Sequence, residues 1–240
     1  MLSKGKVRPL LVAVVGGSGA GKSWLSRKLQ AALGGRAVRV ELDDFYHDRS
    51  HLSSKERARI NYDHPRAIDW IALEHALRDC VAGRSARLPS YDFCNHCRLS
   101  ATKLLKPKTI VLVEGLWLLR RPSLRRMFGL RIFVDCPARA RLSRRLERDA
   151  HSRGRTRSSV REQFRRNVEP MHARFVAPQR ASADIVLRGQ WGEKEIAEIA
   201  ARLRVQVREA AGPRSRRREE ADGRVILTEK SRSLRRRLQF

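Results

Sequence analysis

The hydrophobic residues of this chain are concentrated in short continuous runs, and longer segments with helical spacing separate these runs. Five runs are almost entirely aliphatic and lack polar alternation, which is typical of parallel strands covered by helices on both faces. They comprise residues 10–15, 38–42, 110–113, 132–134 and 185–187. The alternation of strand and helix predicts an α/β fold with a five-stranded, mostly parallel, doubly wound sheet.

Helical spacing is clearest after the first and the last predicted strands. Leu25, Leu29 and Leu33 recur every four residues, and the glycine pair at 34–35 supplies a stop. Positions 196, 199, 203 and 207 form a second apolar stripe on a final helix. Between them, Ser159 and Glu162 have the spacing of a capping box, which predicts a helix start there.

The first predicted strand leads into a match to the phosphate-binding motif G-x-x-x-x-G-K-[ST], the P-loop. The motif consists of Gly16, Gly17, Ser18, Gly19, Ala20, Gly21, Lys22 and Ser23. Glycines let backbone N–H groups surround phosphates, and the positive end of the following helix adds to this attraction. We expect Lys22 to contact the β- and γ-phosphates of ATP and the Ser23 hydroxyl to bind Mg²⁺.

Kinases, GTPases and motor ATPases all contain a P-loop, so the motif alone does not fix the reaction. The sequence contains no Asn-Lys-x-Asp segment for guanine, and its carboxylates favour a kinase. Glu114 ends one predicted strand, while Asp43 and Asp44 end another. Carboxyl ends of parallel strands face the ligand crevice. We therefore expect Glu114 to bind Mg²⁺ and one of the two aspartates to accept the proton of the acceptor hydroxyl.

The chain is strongly basic, with 53 Lys and Arg against 25 Asp and Glu and a net charge of +28. Such a charge raises the hypothesis of a nucleotide-gated nucleic-acid-binding protein, because clustered Lys and Arg neutralise phosphates. The arginines are dispersed, however, aromatic residues make up only 6% of the chain, and no nucleic-acid-binding motif accompanies them. These observations favour an enzyme for polyphosphates over a nucleic-acid partner.

Residues 213–240 lose apolar periodicity and are dense in charge, which predicts a basic, disordered tail after a kinase domain at 1–212. The four cysteines are too few for a disulfide framework in a chain of 240 residues. The apolar run at 10–15 is too short for a signal peptide or a membrane span. We therefore expect a cytoplasmic protein with no membrane partner.

Several separated segments resemble the uridine kinase (uridine–cytidine kinase) family of P-loop kinases. Besides the P-loop, they are Leu-Asp-Asp-Phe-Tyr at 42–46, Asn-Tyr-Asp-His-Pro at 61–65, Pro-Ser-Tyr-Asp-Phe at 89–93, Val-Glu-Gly at 113–115 and the arginine-rich stretch 141–155. The similarity covers roughly residues 10–188. It implies phosphorylation of uridine or cytidine at the 5′-hydroxyl by ATP, or by GTP in its place, with Mg²⁺, an arginine-rich lid at about 139–168 and a homo-oligomer.

The resemblance also implies roles for individual residues. Asp43 corresponds to the general base and, with Ser23 and Glu114, to the magnesium positions. Asp63 corresponds to the acid that binds the ribose hydroxyls, and Tyr91 with His96 to the pair that recognises the pyrimidine. The remaining substrate and lid positions are Phe93, Arg98, Arg145, Arg148, Arg153, Arg155 and Gln163. Of these, Arg148 and Arg153 join Lys22 and Asp43 as the residues expected to act in catalysis.

One departure from the family lies next to the base-recognition segment, where Cys94 and Cys97 flank His96. A Cys-x-x-Cys pair is compatible with a redox pair or half of a zinc site. The chain contains no second such pair, so a nucleoside pocket explains the segment better. The alternative acceptors that remain are those of a phosphoribulokinase-like enzyme or of another nucleoside kinase.

Overall fold

The structure is a computed structural model that describes residues 8–152, 155–211 and 225–227. Its strands are β1 Leu10–Gly16, β2 Ala37–Glu41, β3 Ala86–Asp92, β4 Cys97–Leu105, β5 Ile110–Gly115, β6 Leu130–Asp135, β7 Ile185–Arg188 and β8 Val225–Leu227. Six of them form one parallel sheet in the order β2-β5-β1-β6-β7-β8. The other two, β3 and β4, form a separate antiparallel hairpin.

The five predicted strands are confirmed as β1, β2, β5, β6 and β7. The sixth strand, β8, lies inside the segment predicted to be a disordered tail and pairs with β7. Three residues within a charge-dense segment are too short to show strand periodicity, so the sequence did not reveal this strand. The rest of the predicted tail lies outside the described residues.

The helices are α1 Lys22–Leu33, α2 Ser54–Arg59, α3 Trp70–Val81, α4 Pro122–Arg125, α5 Ala138–Ser152, α6 Arg157–Gln163, α7 Glu169–Met171 and α8 Glu193–Ala211. Two π-helical segments, Phe164–Val168 and His172–Val176, flank α7. Gly34 ends α1 with a φ of 60°, so the predicted glycine stop is confirmed. No helix within residues 8–152 and 155–211 is both long and apolar enough to cross a membrane.

The predicted capping box at Ser159 is wrong, because α6 begins earlier. Thr156 is the N-cap residue, and its hydroxyl oxygen accepts a hydrogen bond from the Ser159 backbone N–H at 3.3 Å. Ser159 already lies inside the helix and donates its hydroxyl to the Thr156 carbonyl at 2.9 Å. Threonine is itself a favoured N-cap residue, so two overlapping candidates were available in the sequence.

The sheet separates two hydrophobic layers, and alternate residues of β1 supply both. Val12 and Val14 pack with the apolar stripes of α1 and α8, while Ala13 and Val15 pack on the side of α3 and the β3–β4 hairpin. Full burial of one such side chain stabilises the fold by about 1.5–3 kcal/mol. The sheet is therefore fixed from both faces, and so are the loops that follow its strands.

The strand register brings three polar segments to one edge of the sheet. In the parallel pairing, Glu114 of β5 lies beside Glu41 at the end of β2 and beside Val14 near the end of β1. The P-loop follows β1, and a 3₁₀ turn, Leu42–Phe45, follows β2. Parallel strands present their carboxyl ends on the same side, where ligands bind in such folds.

Candidate active site

The P-loop wraps around the start of α1 in a conformation that requires glycine. Gly19 and Gly21 have φ values of 80° and 101°, in the left-handed region that favours glycine. A Cβ atom on Gly19 would also lie 2.5 Å from the Arg141 carbonyl oxygen. The Lys22 ammonium closes the loop by donating to the Gly17 carbonyl at 3.1 Å. The result is a cradle of backbone N–H groups suited to phosphate.

Lys22 lies among both kinds of charge. Burial lowers the pKa of its ammonium, and the carboxylates of Asp43 and Glu114 act in the opposite direction. The guanidinium groups of Arg148 and Arg141 lower the pKa further. Four charged partners from three segments of the chain therefore surround this lysine, as expected where a polyanion is bound.

Glu114 has the features of a metal-binding carboxylate. It is only 4% exposed, and neither of its oxygens has a hydrogen bond of normal geometry. Burial raises the pKa of Glu114, whereas the neighbouring Ser23 hydroxyl and Lys22 ammonium lower it. The Arg39 guanidinium forms an ion pair with Glu114, with 3.8 Å between Nη2 and Oε1. A buried carboxylate whose oxygens lack hydrogen bonds of normal geometry, next to a P-loop serine, fits Mg²⁺, which prefers oxygen ligands.

Asp43 and Asp44 are neighbours in the 3₁₀ turn but point into different spaces. Asp43 lines a cavity of about 300 Å³ over the P-loop, here called the P-loop cavity, together with Lys22, Ser23 and Glu114. Asp44 lines a separate cavity beside the hairpin and pairs with Lys103 at 3.5 Å. Burial raises the pKa of Asp44, and Lys103 opposes that shift. The structure thus separates the two aspartates, and only Asp43, which the family resemblance implies to be the base, lines the P-loop cavity.

A larger cavity of about 680 Å³, the hairpin cavity, lies directly beside the P-loop cavity. Four residues line both: Ser18, Asp43, Leu116 and Arg148. The volume lies within the range of small-molecule binding sites. The two cavities thus meet at the Asp43 carboxylate and the Arg148 guanidinium. This arrangement suits transfer of a charged group from a ligand in one cavity to a ligand in the other.

Aromatic rings form one wall of the hairpin cavity. The rings of Tyr62 and His96 stack at 4.1 Å and are inclined by only 10°, while Phe93 packs edge-on against Tyr91 at 5.3 Å. His96 has a φ of 56°, which is uncommon for a residue with a side chain and fixes its ring against Tyr62. Burial raises the pKa of the Tyr91 hydroxyl, so this group keeps its proton and can donate a hydrogen bond.

Asp63 lines the same cavity from a short turn between α2 and α3. Its backbone N–H donates to the Asn61 side-chain oxygen at 3.0 Å, an arrangement typical of Asx turns. The turn is therefore held by Asn61, and the Asp63 side chain is part of the cavity wall.

Arg98 is the predicted substrate residue that does not reach the hairpin cavity. Its guanidinium donates to the Tyr46 carbonyl at 2.8 Å and to the Asp69 carboxylate at 3.1 Å. Tyr46 immediately follows the turn that carries Asp43. We therefore revise the prediction of a substrate contact: Arg98 fixes the hairpin to that turn, because these bonds occupy its fork of donors.

The arginine-rich segment includes α5 and α6, and four of its predicted residues, three arginines and Gln163, meet at the hairpin cavity. Arg145 donates to the Ser18 hydroxyl at 2.6 Å and to the Gln163 side-chain oxygen at 3.1 Å. Arg155 donates to the same oxygen of Gln163. Arg148 donates to the buried Asp149 carboxylate at 2.8 Å and lines both cavities. Arg153 lies outside the described residues.

The sequence missed a buried group beneath the P-loop. Arg141 is 1% exposed and pairs with Glu169 at 2.6 Å, while a Cβ atom on Gly17 would lie 2.8 Å from both Arg141 and His172. Burial, followed by the nearby Arg141 charge, lowers the pKa of His172 to about 4. A clue was present, since residues 141, 145 and 149 recur every four positions as a polar stripe on α5.

Cys94 and Cys97 are free thiols at the tip of the hairpin. The Cys97 thiol donates to the Asn95 carbonyl at 3.4 Å. In the part of the chain that the structure describes, no three His, Cys, Asp or Glu side chains cluster as a metal site. Cys94 lines the hairpin cavity, whereas Cys97 is not among its lining residues.

The parallel sheet, the P-loop and the two joined cavities define a P-loop kinase, a phosphotransferase with an alcohol acceptor. The chain belongs to the phosphoribulokinase/uridine kinase family, whose model matches residues 11–194. The resemblance seen in the sequence is thereby confirmed.

Curated relatives agree with this assignment. The chain is 40% identical to a uridine kinase of Clostridium perfringens over 181 residues, which are 75% of this chain and 87% of the relative. It is 38% identical to a uridine kinase of Deinococcus deserti over 205 residues, covering 85% and 99%. The fold resembles that of phosphoribulokinase from Rhodobacter spheroides, with a TM-score of 0.56, 18% identity and 76% and 69% coverage.

Proposed function

We propose that this protein transfers the γ-phosphoryl group of ATP to the 5′-hydroxyl of a pyrimidine ribonucleoside, uridine or cytidine. The observation that carries the proposal is the position of Asp43 where the P-loop cavity meets the hairpin cavity. One cavity suits a triphosphate, and the other, with aromatic walls and a carboxylate, suits a planar base joined to a sugar. The uridine kinases among the relatives support the choice of acceptor.

In the proposed reaction, Asp43 accepts the proton of the 5′-hydroxyl while the hydroxyl oxygen attacks the γ-phosphorus. A new P–O bond forms to the nucleoside, and the bond to the bridging oxygen of the β-phosphate breaks, which releases ADP. Lys22 neutralises charge on the β- and γ-phosphates. Arg148 lines both cavities and stabilises the phosphoryl group during transfer.

Ser23, Asp43 and Glu114 would hold Mg²⁺, Asp43 through water. The metal, when bound, neutralises charge on the phosphate oxygens. The buried oxygens of Glu114, which lack hydrogen bonds of normal geometry, fit this role. Burial raises the pKa of Glu114. A nearby divalent cation would oppose this shift and favour the charged form of the carboxylate.

Recognition of the acceptor is assigned to the walls of the hairpin cavity. Asp63 accepts hydrogen bonds from the ribose hydroxyls, and the rings of Phe93 and Tyr91 contact the base. The Tyr91 hydroxyl and the His96 ring offer polar atoms to the base edge. Arg145 and Arg155 fix the oxygen of Gln163, which lines the same cavity.

The proposal extends to assembly and compartment, for which the family resemblance is the support. We expect a homo-oligomer that acts in the cytoplasm. Light scattering on the purified protein measures the first, and fractionation of cells measures the second.

The experiment that tests the function is a screen of purified protein with ATP and Mg²⁺ against uridine, cytidine, their 2′-deoxy forms, purine nucleosides and ribulose 5-phosphate. ADP release is measured, and mass spectrometry with phosphorus NMR locates the phosphate. We expect uridine and cytidine to give 5′-monophosphates with the highest kcat/KM. Preferential phosphorylation of ribulose 5-phosphate or a purine nucleoside would refute the proposed acceptor.

A further inference from the structure

Two tryptophans beside the P-loop have no role in the reaction described so far. Trp24 is the third residue of α1 and is 41% exposed, and Trp191 lies in the loop between β7 and α8. Their ring centroids are 5.4 Å apart, with the planes inclined by 63°. Trp191 also reaches the P-loop, since its Cζ2 lies 3.8 Å from the position of a Cβ on Gly21.

The position of the transferred phosphate fixes the direction in which the rest of the donor extends. The γ-phosphate must lie where the two cavities meet, next to Asp43 and Arg148. Trp24 and Arg27 line the P-loop cavity and not the hairpin cavity. The α-phosphate, the sugar and the base of the donor therefore extend away from the acceptor, towards Trp24.

Lys28 packs beside the Trp24 ring, whereas the backbone around Trp191 is open. Lys28 lies 5.5 Å from the Trp24 ring centroid and pairs with Glu193 at 2.7 Å, so it links α1 to the start of α8. Two glycines, 189 and 192, flank Trp191, and a Cβ on either would meet nothing within 4 Å. The backbone on both sides of Trp191 is therefore open and not packed against other residues.

Arg144 of α5 bounds this region from the other side. Its guanidinium donates to the carbonyls of Gly19 and Ala20 at 3.3 and 3.1 Å, and it lines the P-loop cavity. The Arg144 guanidinium and the Trp191 indole therefore lie next to Gly21 at the exit of the phosphate cradle, and Trp24 packs against Trp191. Each of these groups is able to stack on a base.

We propose that Trp24 and Trp191 form the stacking site for the base of the nucleotide donor. This inference rests on the proposed function for the nucleoside triphosphate donor and for the position of its γ-phosphate beside Asp43. Every nucleobase has a π-face, so stacking binds bases with little regard to their polar edges. ATP and GTP should therefore serve as donors with comparable efficiency, and the smaller rings of CTP and UTP should bind more weakly.

Binding of ADP and of inorganic tripolyphosphate, each with Mg²⁺, tests the site by calorimetry. Tripolyphosphate occupies the P-loop but has no base. We expect Trp24→Ala to weaken ADP binding by about tenfold or more and to leave tripolyphosphate binding unchanged. Trp24→Phe should retain most of the affinity. Trp70→Phe, a tryptophan substitution on α3 outside both cavities, is the matched control and should bind ADP normally.

An equal loss of affinity for both ligands in Trp24→Ala, or an unchanged affinity for ADP, overturns the inference. Thermal unfolding of each variant shows whether it is folded, and Trp24→Phe provides the second test if the alanine variant is not. The two proposals fail separately. If Trp24→Ala weakens ADP binding but the wild-type protein does not phosphorylate uridine, only the proposed function is refuted. If the wild-type protein phosphorylates uridine but Trp24→Ala binds ADP normally, only the stacking site is refuted.

Discussion

The P-loop cavity and the hairpin cavity are built in opposite ways. The floor of the first is the P-loop, eight consecutive residues whose geometry is set by glycines and a helix start. The second is assembled from a 3₁₀ turn, the Asp63 turn, the β3–β4 hairpin and two helices of the arginine-rich segment. The P-loop cavity is therefore built around one continuous segment, whereas the hairpin cavity depends on how distant segments pack.

The difference predicts how each cavity responds to mutation. A change in the P-loop cavity should remove catalysis and leave nucleoside binding intact, whereas a change in the hairpin cavity should alter selectivity and spare ATP. Only residues shared by the two cavities, above all Asp43, should affect transfer without affecting either binding step.

Substitution of Lys22 should have the largest effect. Lys22→Ala removes the main cationic partner of the β- and γ-phosphates, so we expect kcat/KM to fall by about 10³-fold or more. Steady-state kinetics measures this loss, and calorimetry should show weaker ATP binding with unchanged uridine binding. Near-normal turnover in this variant would contradict the assignment of the P-loop.

Substitution of Asp63 is the matching test in the hairpin cavity, and it should alter selectivity for the sugar. Wild-type protein should prefer uridine to 2′-deoxyuridine, because a deoxy sugar leaves the carboxylate short of a donor. The cost of one such group is about 1–3 kcal/mol, or roughly 5- to 150-fold in kcat/KM. Asp63→Ala should lose most of this preference together with activity.

The control for this prediction is Asn61→Ala, which weakens the turn without removing the carboxylate. That variant should keep its preference for ribose. If Asp63→Ala is equally poor with both nucleosides yet still selective, the residue only shapes the turn.

His172 lies beneath the P-loop, next to Gly17, and lines a small separate cavity together with Ser18 and Asp63. Its pKa is lowered from 6.5 to about 4 in the folded protein. Between pH 6.5 and about pH 4, this histidine is more protonated in the unfolded chain than in the folded protein. The free energy of unfolding therefore increases as pH rises through this window and decreases as pH falls. In His172→Gln, the loss of stability between about pH 7 and pH 4 should be smaller by about 1–3 kcal/mol.

Chemical denaturation of both proteins at each pH measures this difference. Carboxylates titrate in the same range in both proteins, so only the difference between wild type and variant is informative. Identical pH dependence in the two proteins would show that His172 does not carry the effect.

Removal of residues 213–240 should have the smallest effect. The segment contributes β8 at the edge of the sheet, beside β7 and far along the strand order from β2 and β5. We expect kcat/KM to stay within about threefold of the full chain, since short charged termini contribute little burial. A large loss of activity or of cooperative unfolding would show that this segment stabilises the body.

The sequence predicted those parts whose determinants are local. The apolar runs, the stripe on α1 and the P-loop each have their own periodicity or motif, and the structure has the corresponding elements. The start of α6 was missed because two N-cap residues compete within four positions. The strand β8 was missed because three residues carry no periodicity.

The candidate site was predictable only as far as side-chain type and segment. That Asp43 faces the cavities and Asp44 faces Lys103 follows from the rotation of one 3₁₀ turn, which the sequence does not specify. Arg98 was expected at the substrate, but its hydrogen bonds to Tyr46 and Asp69 depend on where the hairpin packs. Burial of Arg141 was missed because the four-residue spacing of positions 141, 145 and 149 gives a polar stripe, which is usually exposed to solvent.

The most direct test of the account compares Asp43→Asn with Asp44→Asn in single-turnover transfer of γ-labelled phosphate from ATP to uridine. Asparagine keeps the shape of the side chain but cannot accept the proton, so Asp43→Asn should slow transfer by about 10²–10⁴-fold while both substrates still bind. Asp44→Asn should transfer phosphate at close to the wild-type rate. The opposite result, with Asp44→Asn inactive and Asp43→Asn nearly normal, would contradict the central claim that Asp43 is the base between the two cavities.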